Sequence, residues 1–295
     1  MPELFDPFTV SFIQRAMVAG ALVAVISGIV GTWVVLRGMA FLGEAMAHGM
    51  LPGIAVATLV GAPPILGAAL SAAAMSLGIG ALQRRGRLSA DTSIGLLFVA
   101  SLALGIIVIS ASRSFATDAT AILFGDILAA GAGDIAMLAS AGGLTLLVAV
   151  LGHRSFVALT VDPRQARLLG LRPHAAQIAL VGLVTLAVVA AYQVVGSLLV
   201  VGMLLGPAVA AGQWARRIPT IMAFAGVIGI LCVAAGLLVS WYAGTAAGAT
   251  IAFLSIAAAA LSAMMRRLVV RRVRAVGTRV GDALTDPSPV SERTA

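Results

Sequence analysis

The apolar residues of this 295-residue chain arrive in long unbroken blocks. Nine can be marked, at 11–36, 39–60, 63–82, 92–111, 134–151, 174–193, 196–213, 219–240 and 245–265. Most approach the ~20 apolar residues that a helix needs to cross a hydrocarbon core about 30 Å thick. In that medium only helices and closed barrels satisfy their own backbone polar groups. The short alternating strands of a barrel do not occur in this sequence. The chain is 61% hydrophobic and 10% charged, whereas a soluble domain is about half apolar and a quarter charged; its mean hydropathy is +1.09. The expected fold is therefore all-α, a multi-pass transmembrane bundle in the cell (inner or plasma) membrane. Nine spans is the first count, and eight follow if one block is re-entrant. The segment 118–131, "DATAILFGDILAAG", is too short and too acidic for a full span and reads as a short or re-entrant helix.

Charge fixes orientation and excludes functions. The 19 basic residues are all arginine, with no lysine anywhere. A phosphate-binding loop of the G-x-x-x-x-G-K-[ST] type needs that lysine, so this chain does not bind ATP in that manner. With nine spans and the N-terminus outside, Arg37, Arg84, Arg85, Arg87, Arg154, Arg164, Arg167, Arg172, Arg216, Arg217 and the tail share the cytoplasmic side. Only Arg15 and Arg113 fall outside. That asymmetry is the positive-inside pattern, N-out and C-in; it accounts for the net charge of +8 without nucleic acid. The lone Cys232 excludes an internal disulfide. The start, "MPELFDPFTV", lacks the basic region of a cleaved signal peptide. Residues 1–265 read as one membrane domain and 266–295 as a basic cytoplasmic tail, its first half extending the last helix along the lipid interface and its end disordered. Small-xxx-small pairs (Ala24 and Gly28, Gly49 and Gly53, Gly202 and Gly206, Gly244 and Gly248) predict close helix packing.

Polar residues inside spans are costly and therefore informative. Glu44 and His48, in "FLGEAMAHGMLPG", lie four apart and share one helix face. Carboxylate oxygen and imidazole nitrogen are ligands for Zn²⁺, Mn²⁺ or Fe²⁺, and two from one helix make half a site. Spacing alone leaves a second reading open, in which the two bond each other or a neighbouring helix. His153 and His174 fall in the cytoplasmic region, solvated or interfacial. Pro52 and Gly53 predict a kink or break one turn after His48. Asp126 either lines a pathway or, preferably, caps the next element. Gln193 serves equally as a pathway residue or as interhelical glue, and Pro207 bends its helix. The loop 152–173 carries "DPRQARLLGL", with Asp162 at an N-cap, Pro163 at N1 and Gly170 closing. This predicts a short amphipathic helix, either interfacial or a dock for a soluble partner.

The blocks "GTWVVLRGMAFLGEAMAHGMLPGIAVA", "DTSIGLLFVASLALGIIVIS", "LFGDIL", "VDPRQARLLGL" and "YQVVGSLLVVGMLLGPAVAA" follow in an order that resembles the ABC-3 family, permease subunits of ABC-type zinc, manganese and iron importers. The resemblance runs from about Phe12 to Met264. It implies a type II, vitamin B12-importer-like permease forming a homodimeric pore. Its implied partners are a cytoplasmic ATPase and an extracytoplasmic metal-binding protein. The metal is transported cargo, with no resident cofactor and no enzymatic activity in this chain. The family's translocation acid and histidine fall on Glu44 and His48, and its docking helix on Asp162, Pro163, Ala166, Leu169, Gly170 and Leu171. The family more usually has Asp where Glu44 stands, and "GTAAGATIAFL" lacks a proline often found before its small-residue run. Zinc is ranked ahead of manganese by the affinity order of divalent ions. The alternatives are a permease for a metal chelate of the siderophore or cobalamin type, or an intramembrane metal-dependent enzyme, for which no nucleophile elbow or H-E-x-x-H is present.

Overall fold

A computed structural model describes residues 10–84, 89–111, 125–161, 170 and 173–285. Every regular element among them is helical: α1 (Ser11–Leu36), α2 (Ala40–Gly49), α3 (Leu51–Leu59), α4 (Pro64–Arg84), α5 (Ala90–Ala111), a 3₁₀ turn (Ile127–Ala129), α6 (Ala132–Val161), α7 (Pro173–Gly212), α8 (Ile218–Ala243) and α9 (Ala247–Thr285). Eight of these stretches are long and apolar enough to cross a membrane, α2 and α3 together making one; a shorter apolar helix, Leu199–Gly212, is the second half of α7.

That half-helix decides the parity. Gly196 breaks α7 with φ 72° and ψ 167°, a backbone region essentially restricted to glycine. Before the break α7 runs alongside α2, with Gln177 at Met39 and Thr185 at Met46. After it the chain returns, Leu204 packing on Gly31 of α1 and Gln213 ending beside Arg266 of α9. Leu199–Gly212 spans only about 21 Å at 1.5 Å per residue, because it starts below the far end of the bundle. The turn at Gly125–Ala130 occupies the missing depth: Gly125 abuts the Gly196 backbone, and Ile127 reaches Gly20 of α1. The described helices thus make nine passes between the two ends, eight of them full-length candidate spans and the ninth the short Leu199–Gly212. Arg37, Arg217 and Arg266 gather at one end, and α4 finishes there at Arg84. This is the N-out, C-in arrangement that the arginine pattern predicts.

Small residues set the helix spacing. Gly28 lies on Gly226 of α8, Gly53 on Gly67 of α4, Gly202 on Ala252 and Gly206 on Ser255 of α9. Such approaches gain dispersion where lipid supplies no hydrophobic drive. Gly244 has a different role: with φ 64° it is the left-handed cap that ends α8. One boundary departs from expectation. Residues 152–161 are helical rather than loop, so α6 reaches Val161 over 30 residues. Hydroxyls let it continue through a polar stretch, Thr160 folding its Oγ1 back onto the Phe156 carbonyl. The last helix, α9, runs on to Thr285.

Candidate metal-handling site

Glu44 and His48 occupy the short helix α2, which ends one residue after His48. Met50 joins it to α3, where Pro52 sits in the first turn, so the expected break falls beside the pair. Leu42, Ala45, Met46 and Ala47 on the rest of α2 are fully buried. Met46 is held from behind by the Ser76 and Thr185 hydroxyls, 3.8 and 3.9 Å from its sulfur. The pair therefore projects from an anchored helix.

The His48 Nδ1 lies 3.2 Å from the Glu44 carboxylate Oε1 and 3.2 Å from the Glu44 backbone carbonyl. Both neighbours are acceptors, so Nδ1 carries the proton and donates. In the neutral ring this leaves the lone pair on Nε2, the arrangement in which a second group orients a histidine for metal binding. The Phe98 ring of α5 stands edge-on to the imidazole, centroids 5.6 Å apart at 83°, and Phe41 closes on Phe98 at 5.3 Å. An aromatic wall thus flanks one side of the imidazole. The Glu44 side chain is 37% exposed and His48 21%, in a surround that is otherwise apolar. The two residues thus bond each other, as one reading of the spacing expects, and both side chains keep partial exposure. Among the described residues no three acids, histidines or cysteines gather as a complete metal cage. Among those residues Glu44 and His48 stand as a pair.

Asp126 takes the capping role, its carboxylate accepting the Leu128 N–H at 3.2 Å. Gln193 is a helical position just before the Gly196 break, with its side chain outside the described residues. Asp162, Pro163, Ala166, Leu169 and Leu171 also lie outside them; Gly170 is described, with φ 72° suited to closing a helix. His153 belongs to α6 rather than to a loop, its ring 5.8 Å from that of Trp33. Sequence reasoning missed Phe98, which lies 50 positions from His48 with nothing local to mark it.

The comparisons agree with this architecture. The ABC 3 transport family model matches residues 9–267. A "Manganese transport system membrane protein MntC" of Halalkalibacterium halodurans is 36% identical over 82% of this chain and 82% of its own length. A "Chelated iron transport system membrane protein YfeD" of Yersinia pestis is 31% identical over 82% of each. Among solved structures, "PsaBC from Streptococcus pneumoniae in complex with Fab" superposes with a TM-score of 0.78 at 29% identity, covering 88% of this chain and 94% of that one. The resemblance, the nine-pass bundle and the type II permease fold all converge. The chain is a multi-pass plasma-membrane protein and a permease of an ABC metal importer, and it belongs to the ABC 3 transport family.

Proposed function

We propose that this chain forms the translocation pathway for a divalent metal ion, with Glu44 and His48 as transient ligands. The observation that carries the reading is the outward-facing pair: an imidazole with Nδ1 engaged and Nε2 free, beside a partly exposed carboxylate. Two such copies related by a two-fold axis would offer four ligands, the usual number for Zn²⁺, and the homodimer completes the half-site. Oxygen and nitrogen donors suit both zinc and manganese. The affinity order ranks zinc first, but relatives named for manganese, at 36% and 34% identity, favour Mn²⁺ as cargo. ATP hydrolysis falls to a cytoplasmic partner docked on Asp162–Leu171, and an extracytoplasmic protein delivers the ion.

The test is uptake by the assembled complex in liposomes, with Mn²⁺, Zn²⁺ and an iron chelate offered separately. Glu44→Ala and His48→Ala are expected to assemble normally and to lose at least about tenfold in Mn²⁺ uptake, the low end of what perturbing a metal site costs. Wild-type rates in both variants would remove the site assignment. Chelate uptake with no free-ion uptake would favour the wider pathway suggested by the relative named for chelated iron.

A further inference from the structure

Arg37 caps α1 and is half-buried. Its Nη1 donates to the Leu159 carbonyl, one of the last four of α6, where a helix has unpaired acceptors and favours a cation. Its Nη2 donates to Gln177 Oε1 at 2.6 Å, near the start of α7. The Gln177 amide nitrogen lies 3.8 Å from the sulfur of Met39, the residue that caps α2. One guanidinium thus joins the end of α6 and the beginning of α7, and through Gln177 it reaches the root of α2. One turn earlier, Trp33 is fully buried and packs edge-on against Phe156 of α6 at 5.5 Å, which stiffens the α1–α6 side of the joint. The Arg37 Nε is buried and has no acceptor among the described residues. A leftover buried donor carries a free-energy cost and calls for an explanation.

The position of this joint supplies one. The ends of α6 and α7 that it ties are the two flanks of residues 162–172, the stretch that the transport reading assigns to the ATPase. The third element is the helix that carries Glu44, seven residues beyond Arg37, and His48. A displacement of either flank reaches α2 through two hydrogen bonds and a sulfur contact. We propose that Arg37 is a positioning residue that transmits movement of the ATPase-docking segment to the metal-bearing helix, an inference that rests on the transport reading above. Arginine suits the task because its planar fork bonds two acceptors at once, which the single ammonium of lysine does not reproduce.

The experiment uses the permease with its ATPase in liposomes, reading Mn²⁺ uptake and ATP hydrolysis on the same vesicles. Arg37→Lys keeps the charge but loses the fork; Gln177→Ala keeps the Leu159 bond and cuts the link to α7 and Met39. Both variants are expected to copurify with the ATPase and to hydrolyse ATP within about twofold of wild type. Ions moved per ATP should fall about tenfold, within the ~5–150-fold span of typical site-to-site coupling. An unchanged ratio in Arg37→Lys would overturn the proposal, as would uptake and hydrolysis falling in proportion, the mark of a purely structural staple. If Arg37→Lys fails to assemble, a wild-type ratio in Gln177→Ala overturns it equally. A wild-type complex that moves no Mn²⁺ refutes the transport reading itself, a separate outcome.

Discussion

Replacing Gly31 by alanine should destabilise this protein, although the same change in an open helix stabilises one. Gly31 sits inside α1, and a methyl group built there overlaps the carbonyl oxygen of Leu204. That oxygen belongs to the backbone of the returning half of α7, so only movement of a whole helix relieves the clash. Helix propensity gives back ~1 kcal/mol on going from glycine to alanine. Overpacking a filled site costs about 1–3 kcal/mol, and more where backbone is the obstacle. The net expectation is a loss of about 1–2 kcal/mol, which lowers Tm by roughly 2–8 °C at 2–4 °C per kcal/mol. Gly182→Ala is the control, since Gly182 lies in the first half of α7 with nothing within 4 Å of an added methyl. It should leave Tm unchanged or raise it. Thermal unfolding of the detergent-solubilised protein, followed by loss of the monodisperse peak, measures both. The consequence reaches the site as well. A Leu204 methyl stands 2.7 Å from where a Cβ on Gly43 would be, directly beside Glu44. Displacing Leu204 therefore loosens the back of α2, and Mn²⁺ uptake should fall along with Tm. A Gly31→Ala protein as stable as Gly182→Ala would refute the claim that backbone contact fixes the α1–α7 spacing.

Three more expectations follow from single positions. Gly196→Ala places a side chain at φ 72°; strain of that kind costs about 1–3 kcal/mol, read as a fall in Tm that restoring glycine reverses. Glu44→Asp withdraws the carboxylate by one methylene from His48 Nδ1, now 3.2 Å away. The variant should still transport but with an altered Mn²⁺-to-Zn²⁺ uptake ratio, and an identical ratio would show that Glu44 does not set metal preference. Ser262→Ala removes the acceptor of the Trp214 indole N–H, 2.8 Å away, and the donor to the Ala210 carbonyl. It should cost about 1–3 kcal/mol, visible as a Tm shift at unchanged ions per ATP.

Much of this was legible in one dimension because a bilayer removes alternatives. The apolar blocks, the arginine asymmetry and the E-x-x-x-H spacing each follow from an energy that acts locally: desolvation of backbone, desolvation of charge, and the pitch of one helix. Pro52 announced the break beside His48 for the same reason, a missing N–H. The end of α6 was misjudged because polar residues at 152–161 look like a loop. Neither a packing partner nor a hydroxyl folded back onto its own helix is visible in composition.

The sequence by itself therefore determined the class of fold, the orientation and the placing of Glu44 and His48 on one helix face, since these depend on what each residue costs in hydrocarbon and on helix pitch. Only the tertiary structure decided which nitrogen of His48 is free, that Phe98 walls the pair, and that the short half of α7 returns to the arginine end. It alone brought Arg37 to the ends of α6 and α7. Those facts rest on contacts between residues far apart in the chain, such as Arg37 and Gln177, which are 140 positions apart. Such contacts are set by how backbones close over glycine, and no local pattern encodes that.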